Sequence, residues 1–292
     1  MDSFEAQFSV DALRERANEN ATFIRFGMGQ VHYALEGPED GPVIVMIHGL
    51  TTPMRVFEAL SAQLTARGYR VLRYDHFGRG FSDNPRGEQT MLHFSRALSG
   101  LLEALKLDQE PVHLIGYSMG GGIATHFAAS QPDRVASLGL IAPLSFEFDL
   151  GTLVDLAVRI PTLGDVLFAL TYPMTLRSGA EAERALNSHV SGIVDYQLSQ
   201  LGRKGFVPAV LSSCRGFYDA PFVQMHEVVA SHDIPVRAIW GGNDTVILPS
   251  GAQSLTNVNP NAANHIIQLA THAIPYTANL AELTDFIEPR LE

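Results

Sequence analysis

Cysteine is almost absent: Cys214 is the single one in 292 residues. That excludes an intramolecular disulfide and any cysteine-based metal cluster, and it agrees with a reducing compartment. Long apolar runs are missing too. The longest, such as PVIVMIH and VLFAL, break off far short of the ~18 to 20 residues needed to cross a bilayer, so no stable membrane insertion is expected. The opening MDSFEAQFSVDALRERANEN carries acids where a secretory signal carries positive charge, and no apolar stretch follows, which leads us to expect a cytoplasmic protein. Basic charge is also scarce. Lys and Arg number 20 against 31 Asp and Glu, for a net charge of -11 with no basic stripe that could neutralise phosphates. This balance argues against nucleic acid as a partner and reads as solubility. Internal repeats and low-complexity tracts are not visible either.

Against those absences stands a 46% hydrophobic content, enough to bury a substantial core in one main domain. From residue 42 onward, apolar runs of strand length alternate with stretches of helical period, the pattern of a mostly parallel sheet covered on both faces. Upstream, TFIRFG and QVHYALEG, separated by Met28 and Gly29, read as a short antiparallel pair at the sheet edge, and residues 1–20 as a helical extension. PVIVMIH is a buried strand ending at His48-Gly49, and MRVFEALSAQLTARG is an amphipathic helix stopped by Gly68. RVLRYDHF, a turn GRGFSDNPRG, a helix over about residues 89–107 and the strand VHLIGYS follow. After VASLGLIAP the alternation stops for roughly sixty residues, with helix candidates near 150–159, 163–171 and 180–200, until strands resume at PVRAIWGG. The expected organisation is a core of residues 1–143 and 205–292, with a sheet of about eight strands, interrupted by a helical cap over 144–204.

Gly116-Tyr117-Ser118-Met119-Gly120 fits Gly-x-Ser-x-Gly, with an apolar strand before it and a helix of small residues after it. A serine in so tight a strand-to-helix turn is held in a strained conformation with its hydroxyl exposed at the carboxyl end of the sheet. Such a hydroxyl needs a base, and the base needs a partner to fix its tautomer. Both should lie downstream, in the order acid then histidine, each on a loop after a strand. Asp244 follows AIWGGN and His272 follows IIQLAT, so both sit where that order demands. Among eleven histidines, His113 lies inside a strand, His265 opens one, and His226 and His232 precede one. Asp233 enters its strand from the amino end, while Asp155 and Asp165 belong to the cap. Acyl transfer also needs donors for the tetrahedral oxyanion. Met119, at a helix N-terminus, supplies one amide, and the loop after HGL supplies the other through Leu50, with Thr51 as the neighbouring alternative. Cys214, in the helical stretch VLSSCRG, reads as a buried structural thiol.

The segments IHGL, YDHFGRGFSD, GYSMGG, IWGGND and THAIP resemble those of the α/β-hydrolase superfamily, in its esterase and lipase-like branch. The resemblance covers nearly the whole chain outside the cap and the first twenty or so residues. It implies nucleophile Ser118, acid Asp244, base His272 and oxyanion amides at Met119 and Leu50, with Asp75 and Ser82 structural. One departure is Thr271, where the family commonly has glycine before its histidine. Epoxide hydrolases and haloalkane dehalogenases carry aspartate at the position of Ser118, which sets those chemistries aside.

The expected function is hydrolysis of small to medium, largely uncharged carboxylic esters through an acyl-enzyme, with a small-molecule ester as partner and no metal or organic cofactor implied. Two alternatives are a carbon-carbon bond hydrolase of ring-cleavage products, whose glycine-rich segment HGLTTP lacks, and a ligand receptor that uses the same pocket. The apolar first half of the cap, from Phe146 to Leu176, is expected to roof the active site, with Phe146, Leu167 and Phe168 against the acyl chain. Oligomeric state is not legible in the sequence.

Overall fold

The computed structural model describes residues 21–289. The helical extension expected over residues 1–20 lies outside them. Eight strands form one sheet in the order β1-β2-β4-β3-β5-β6-β7-β8. They are β1 (Thr22–Phe26), β2 (Gly29–Glu36), β3 (Val43–Ile47), β4 (Arg70–Tyr74), β5 (Val112–Tyr117), β6 (Val135–Ile141), β7 (Val236–Gly241) and β8 (Ala263–Ile267). The pairs β1·β2 and β2·β4 are antiparallel and the rest of the ladder is parallel. The first hairpin turns at Gly27 and Met28, one residue earlier than the sequence suggests, because Gly29 already pairs with Phe26.

The inner strands VIVMI and VHLIGY are buried almost throughout, which is why their sequences run continuously apolar instead of alternating. Helices α1 (Glu58–Ala66), α2 (Met91–Ala104) and α3 (Met119–Ser130) connect the first strands. Between β6 and β7 come α4 (Thr152–Arg159), α5 (Leu163–Glu183), α6 (Ile193–Ser199), α7 (Phe206–Tyr218) and α8 (Phe222–Ser231). The chain closes with α9 (Gly251–Val258), α10 (Ile274–Thr277) and α11 (Leu280–Ile287). α1 and α11 pack together on one side of the sheet, while α2, α3, α8 and α9 form a continuous layer of neighbours. No helix among the described residues is long and apolar enough to cross a membrane.

Two boundaries differ from the sequence expectation. α5 continues through Pro173 to Glu183 instead of stopping near residue 171. Proline removes one backbone donor, and the carbonyl four residues back, that of Ala169, lies on an exposed residue where water can satisfy it. The helix expected over 180–200 is instead the end of α5, a turn containing Gly192 in the left-handed region, and α6. α7 packs on α4 and α5, so the helical layer above the sheet continues past residue 204.

Asp75, at the carboxyl end of β4, is completely buried and organises the turn that follows. His32 Nδ1 donates to its Oδ2 at 2.7 Å, Met54 N–H to Oδ1 at 2.8 Å and Phe81 N–H to Oδ2 at 3.0 Å. Ser82 Oγ donates to the Asp75 carbonyl at 2.6 Å and accepts from His32 N–H at 3.0 Å, so both motif residues are structural. A Cβ on Gly80, at φ +51°, would fall 1.9 Å from Asp75 Oδ2, so only glycine allows the turn to close over the carboxylate. Burial works to raise the pKa of Asp75, but the His32 hydrogen bond and the neighbouring charge lower it from 3.8 to about 2. Asp75→Asn is expected to lose about 3 kcal/mol in urea unfolding at pH 7, because the charge is lost and one of the two acceptor oxygens becomes an NH2 facing buried donors. A depressed carboxylate contributes fully above its unfolded pKa, so the gap between wild type and variant should shrink as pH falls from 3.8 through about 2. A loss under about 1 kcal/mol, or one independent of acid pH, would remove Asp75 from this role.

Candidate active site

Parallel strands deliver their carboxyl ends to one edge of a sheet, and ligands in open α/β sheets bind outside that edge. Here β3 ends into His48–Leu50, β5 into Ser118, β7 into the Asp244 loop and β8 into the His272 loop. Four short connections therefore meet above the sheet.

Ser118 stands between β5 and α3 with φ 53° and ψ -121°, a conformation of high cost for a residue with a side chain. Three backbone bonds hold it there. Ser118 N–H donates to Ile141 O at 3.0 Å, and Ser118 O accepts from Gly121 N–H at 2.8 Å and Leu144 N–H at 2.9 Å. Close packing of the flanking segments requires the two motif glycines. A Cβ on Gly120 would sit 1.9 Å from Ile47 O, and one on Gly116 2.3 Å from Gly120 O.

His272 Nε2 lies 3.0 Å from Ser118 Oγ, and His272 Nδ1 lies 2.7 Å from Asp244 Oδ2. The other carboxylate oxygen of Asp244 accepts the N–H groups of Val246 at 2.8 Å and Ile247 at 2.9 Å, and its side chain is fully buried. With the carboxylate as acceptor, Nδ1 carries the proton and Nε2 is free to accept from the Ser118 hydroxyl. Such a chain can draw a proton from the serine and stabilise the resulting imidazolium. The structure thus brings together Ser118, Asp244 and His272. Asp233, by contrast, sits at the amino end of β7.

Tyr117, a site residue that the sequence reading passed over, donates its hydroxyl to the His272 carbonyl at 3.0 Å and places its ring 5.2 Å from the imidazole. Its signal was its place inside the Gly-x-Ser-x-Gly motif.

The loop after β3 runs beside the serine: a Cβ on Gly49 would be 3.3 Å from Ser118 Cβ. Two histidines lock it. His76 N–H donates to His48 Nε2 at 2.9 Å, which leaves the His48 proton on Nδ1 to donate to Gly49 O at 2.8 Å. His76 Nε2 donates in turn to His48 O at 3.0 Å. Burial lowers the His48 pKa to about 4 and drives that of His76 well below its usual value, so both are neutral at pH 7. Arg79, also absent from the sequence reading, is buried among neutral acceptors, and its Nε donates to Leu50 O at 2.7 Å. Its guanidinium further donates to Gln89 Oε1 at 2.8 Å and Ser213 Oγ at 2.7 Å, and burial lowers its pKa to about 10. Leu50 and Met119 both line the cavity that holds Ser118 and His272, and Met119 opens α3, where a helix leaves its first N–H groups without internal acceptors.

That cavity measures about 240 Å³, with an apolar wall that includes Leu144, Leu150, Val154, Leu176, Phe217 and Ile247. Phe146, Leu167 and Phe168, expected to contact substrate, do not line it. Phe146 stacks on His226 at 5.0 Å, and Phe168 stacks on Tyr172 at 4.3 Å, one layer behind the cavity that Tyr172 lines. Leu167 is half-buried elsewhere on α5. The reason is that α5 is apolar on two faces: Tyr172, Leu176 and Ala180 point inward, while Leu163, Leu170 and Met174 are exposed on the outside. Cys214 lines the same cavity as a buried thiol whose pKa burial raises to about 12, which makes it a poor nucleophile.

Residues 42–162 match the family model described as alpha/beta hydrolase fold. The monoacylglycerol lipase ABHD6 of Rattus norvegicus is 23% identical over 256 residues, which span 84% of this chain and 74% of that protein. A 2-hydroxy-6-oxononadienedioate/2-hydroxy-6-oxononatrienedioate hydrolase of Paraburkholderia xenovorans (strain LB400) is 37% identical over 140 residues, 46% of this chain and 47% of that protein. Among solved structures, naproxen esterase (carboxylesterase NP) from Bacillus subtilis superposes with a TM-score of 0.73 at 19% identity, covering 95% of this chain and 97% of that one. The chain has the α/β-hydrolase fold.

The backbone at Ser118 yields a stability prediction. Glycine tolerates φ 53°, ψ -121° without Cβ strain, whereas alanine keeps it. Ser118→Gly should therefore unfold at higher denaturant than Ser118→Ala, by about 1 kcal/mol after glycine's larger unfolded-state entropy is deducted. Alanine as the more stable of the two would show that the turn is unstrained.

Proposed function

We propose that the enzyme hydrolyses carboxylic esters of small to medium, largely uncharged substrates through an acyl-enzyme on Ser118. His272 acts as general base and Asp244 as the acid that orients it. The observation that carries this reading is the unbroken hydrogen-bond chain from Ser118 Oγ through both ring nitrogens of His272 to the buried Asp244.

In the first half-reaction, Nε2 takes the hydroxyl proton as Oγ attacks the carbonyl carbon. The oxyanion accepts from the Met119 amide and from the amide of Leu50, in the loop that Arg79 and the His48–His76 pair hold rigid. The imidazolium then gives its proton to the departing alcohol. Water, activated by the same nitrogen, attacks the acyl carbonyl and restores Ser118. Residues 144–204 serve as a cap that excludes bulk water and shapes the acyl pocket. The esterase and lipase names among the similar proteins agree with this chemistry.

One relative favours a second reading, hydrolysis of a carbon-carbon bond, since the dienedioate hydrolase is 37% identical over its matched part. A dicarboxylate needs cationic partners, and neither lysine nor arginine is among the residues lining the Ser118 cavity. The ester reading is therefore preferred.

The test is kcat/KM over p-nitrophenyl acetate, butyrate, hexanoate and dodecanoate, with a succinate monoester and a vinylogous diketone beside them. Each buried methylene contributes ~0.8 kcal/mol, so activity should rise up to about fourfold per methylene until the cavity is full and then fall. Succinate should be poor, because Glu183 shares the cavity and nothing there neutralises an anion. Asp244→Asn should lower kcat by orders of magnitude, about 10⁴-fold by the precedent of such sites. Preference for the diketone, or Asp244→Asn at wild-type rate, would overturn the reading.

A further inference from the structure

The cavity above Ser118 has one charged wall that ester chemistry leaves unused. Glu183, at the end of α5, is half-buried and faces the cavity that Ser118 and His272 share. Tyr276 O–H donates to its Oε2 at 2.7 Å. Among the described residues that is the one hydrogen bond to the carboxylate, and Oε1 is left without a donor. Tyr276 is held in turn by Gln197 Nε2 at 3.4 Å, and both residues line the cavity. The only other carboxylate of the lining, Asp149, is exposed and already accepts from Gly151 N–H at 2.7 Å.

A cavity-facing carboxylate oxygen without a protein donor is free to accept a hydrogen bond from a donor brought by a ligand. Burial raises the Glu183 pKa, while the Tyr276 hydrogen bond and the charge of His272 pull it down. Tyr276 lies in α10, which follows the His272 loop directly, so its hydrogen bond sets Glu183 on the His272 side of the cavity. The leaving alcohol must lie on the same side, because His272 is the group that returns its proton. The apolar wall of Leu150, Val154, Phe217 and Ile247 is left to the acyl chain.

We propose that Glu183 and Tyr276 form a recognition site for a hydroxyl group on the alcohol part of the substrate, so that hydroxylated esters are preferred over alkyl esters of equal size. The inference rests on the ester-hydrolase reading for the assignment of that side to the alcohol. Glu183 is a specificity residue, since its carboxylate touches the substrate hydroxyl and not the reacting atoms.

The experiment compares 2-hydroxyethyl butyrate with propyl butyrate, which differ by one hydroxyl in place of one methyl. On wild type the hydroxylated ester should have kcat/KM about tenfold higher, the worth of a hydrogen bond to a charged acceptor. Glu183→Leu should bring the ratio close to one, and Glu183→Gln, which keeps an acceptor oxygen, should retain part of it. Circular dichroism melting checks that both variants are folded. An unchanged ratio in Glu183→Leu, or no preference in wild type, overturns the proposal. Calorimetric binding of the same two esters to Ser118→Ala, with and without Glu183→Leu, decides the matter independently of turnover. Tighter hydroxyethyl binding that Glu183→Leu abolishes supports the site, and equal binding of the two esters overturns it. Absence of hydrolysis of both esters by wild type would instead count against the ester reading, while the binding pair still reports on Glu183.

Discussion

The backbone at Ser118 is the constraint on which the rest of the site depends. A serine at φ 53° and ψ -121° aims its hydroxyl away from the sheet, and it stays there because Ile141 O, Gly121 N–H and Leu144 N–H bind its peptide groups from three directions. Those partners come from β6, from α3 and from the segment after β6, so the turn is tied to the central sheet and to the helix that follows it. The strain is the cost of placing the serine oxygen where the loops after β3, β7 and β8 meet. Glycine at 116 and 120 is the other half of the same constraint, since α3 lies too close to β5 at Gly116 and to β3 at Gly120 for any side chain.

Around that turn, buried polar groups do the positioning. Asp75 gathers donors from β2, from the segment before α1 and from its own turn. The neighbouring His48–His76 pair and Arg79 clamp the Gly49–Leu50 loop through its carbonyls. Each is desolvated, so a carbonyl that turned away would strand a buried donor at a cost of roughly 1 to 3 kcal/mol. That penalty holds the loop in one conformation beside Ser118. It also explains an arginine buried among neutral acceptors: what Arg79 contributes is direction.

The sequence made the sheet and the Ser118, Asp244 and His272 loops legible, because each lies at a strand end and because glycine at 116 and 120 admits few backbones. Asp75 and Ser82 were legible as structural for a similar reason, inside the turn DHFGRGFSD. Tyr117 and Arg79 lie in those same motifs, yet their roles depend on which carbonyl a side chain reaches across the fold, and no spacing encodes that. The helical segment was harder. α5 is apolar on two faces, so hydrophobicity alone could not say that Tyr172 and Leu176 face the cavity while Leu170 and Met174 face out, and it misplaced Phe168 by one layer. The helix expected near 163–171 runs on through Pro173, where the exposed Ala169 carbonyl makes a break unnecessary. Glu183 carries no motif, and its place in the cavity follows only from the continuation of α5 through that proline.

The most direct test of the account is intact-mass analysis after reaction with a fluorophosphonate, followed by peptide mapping, on wild type, Ser118→Ala and His272→Ala. An activated serine attacks phosphorus as it attacks an acyl carbon. The account predicts a single adduct on the peptide containing Ser118, greatly slowed in His272→Ala and absent from folded Ser118→Ala. An adduct mapped to another residue, or undiminished labelling of Ser118→Ala, would contradict it.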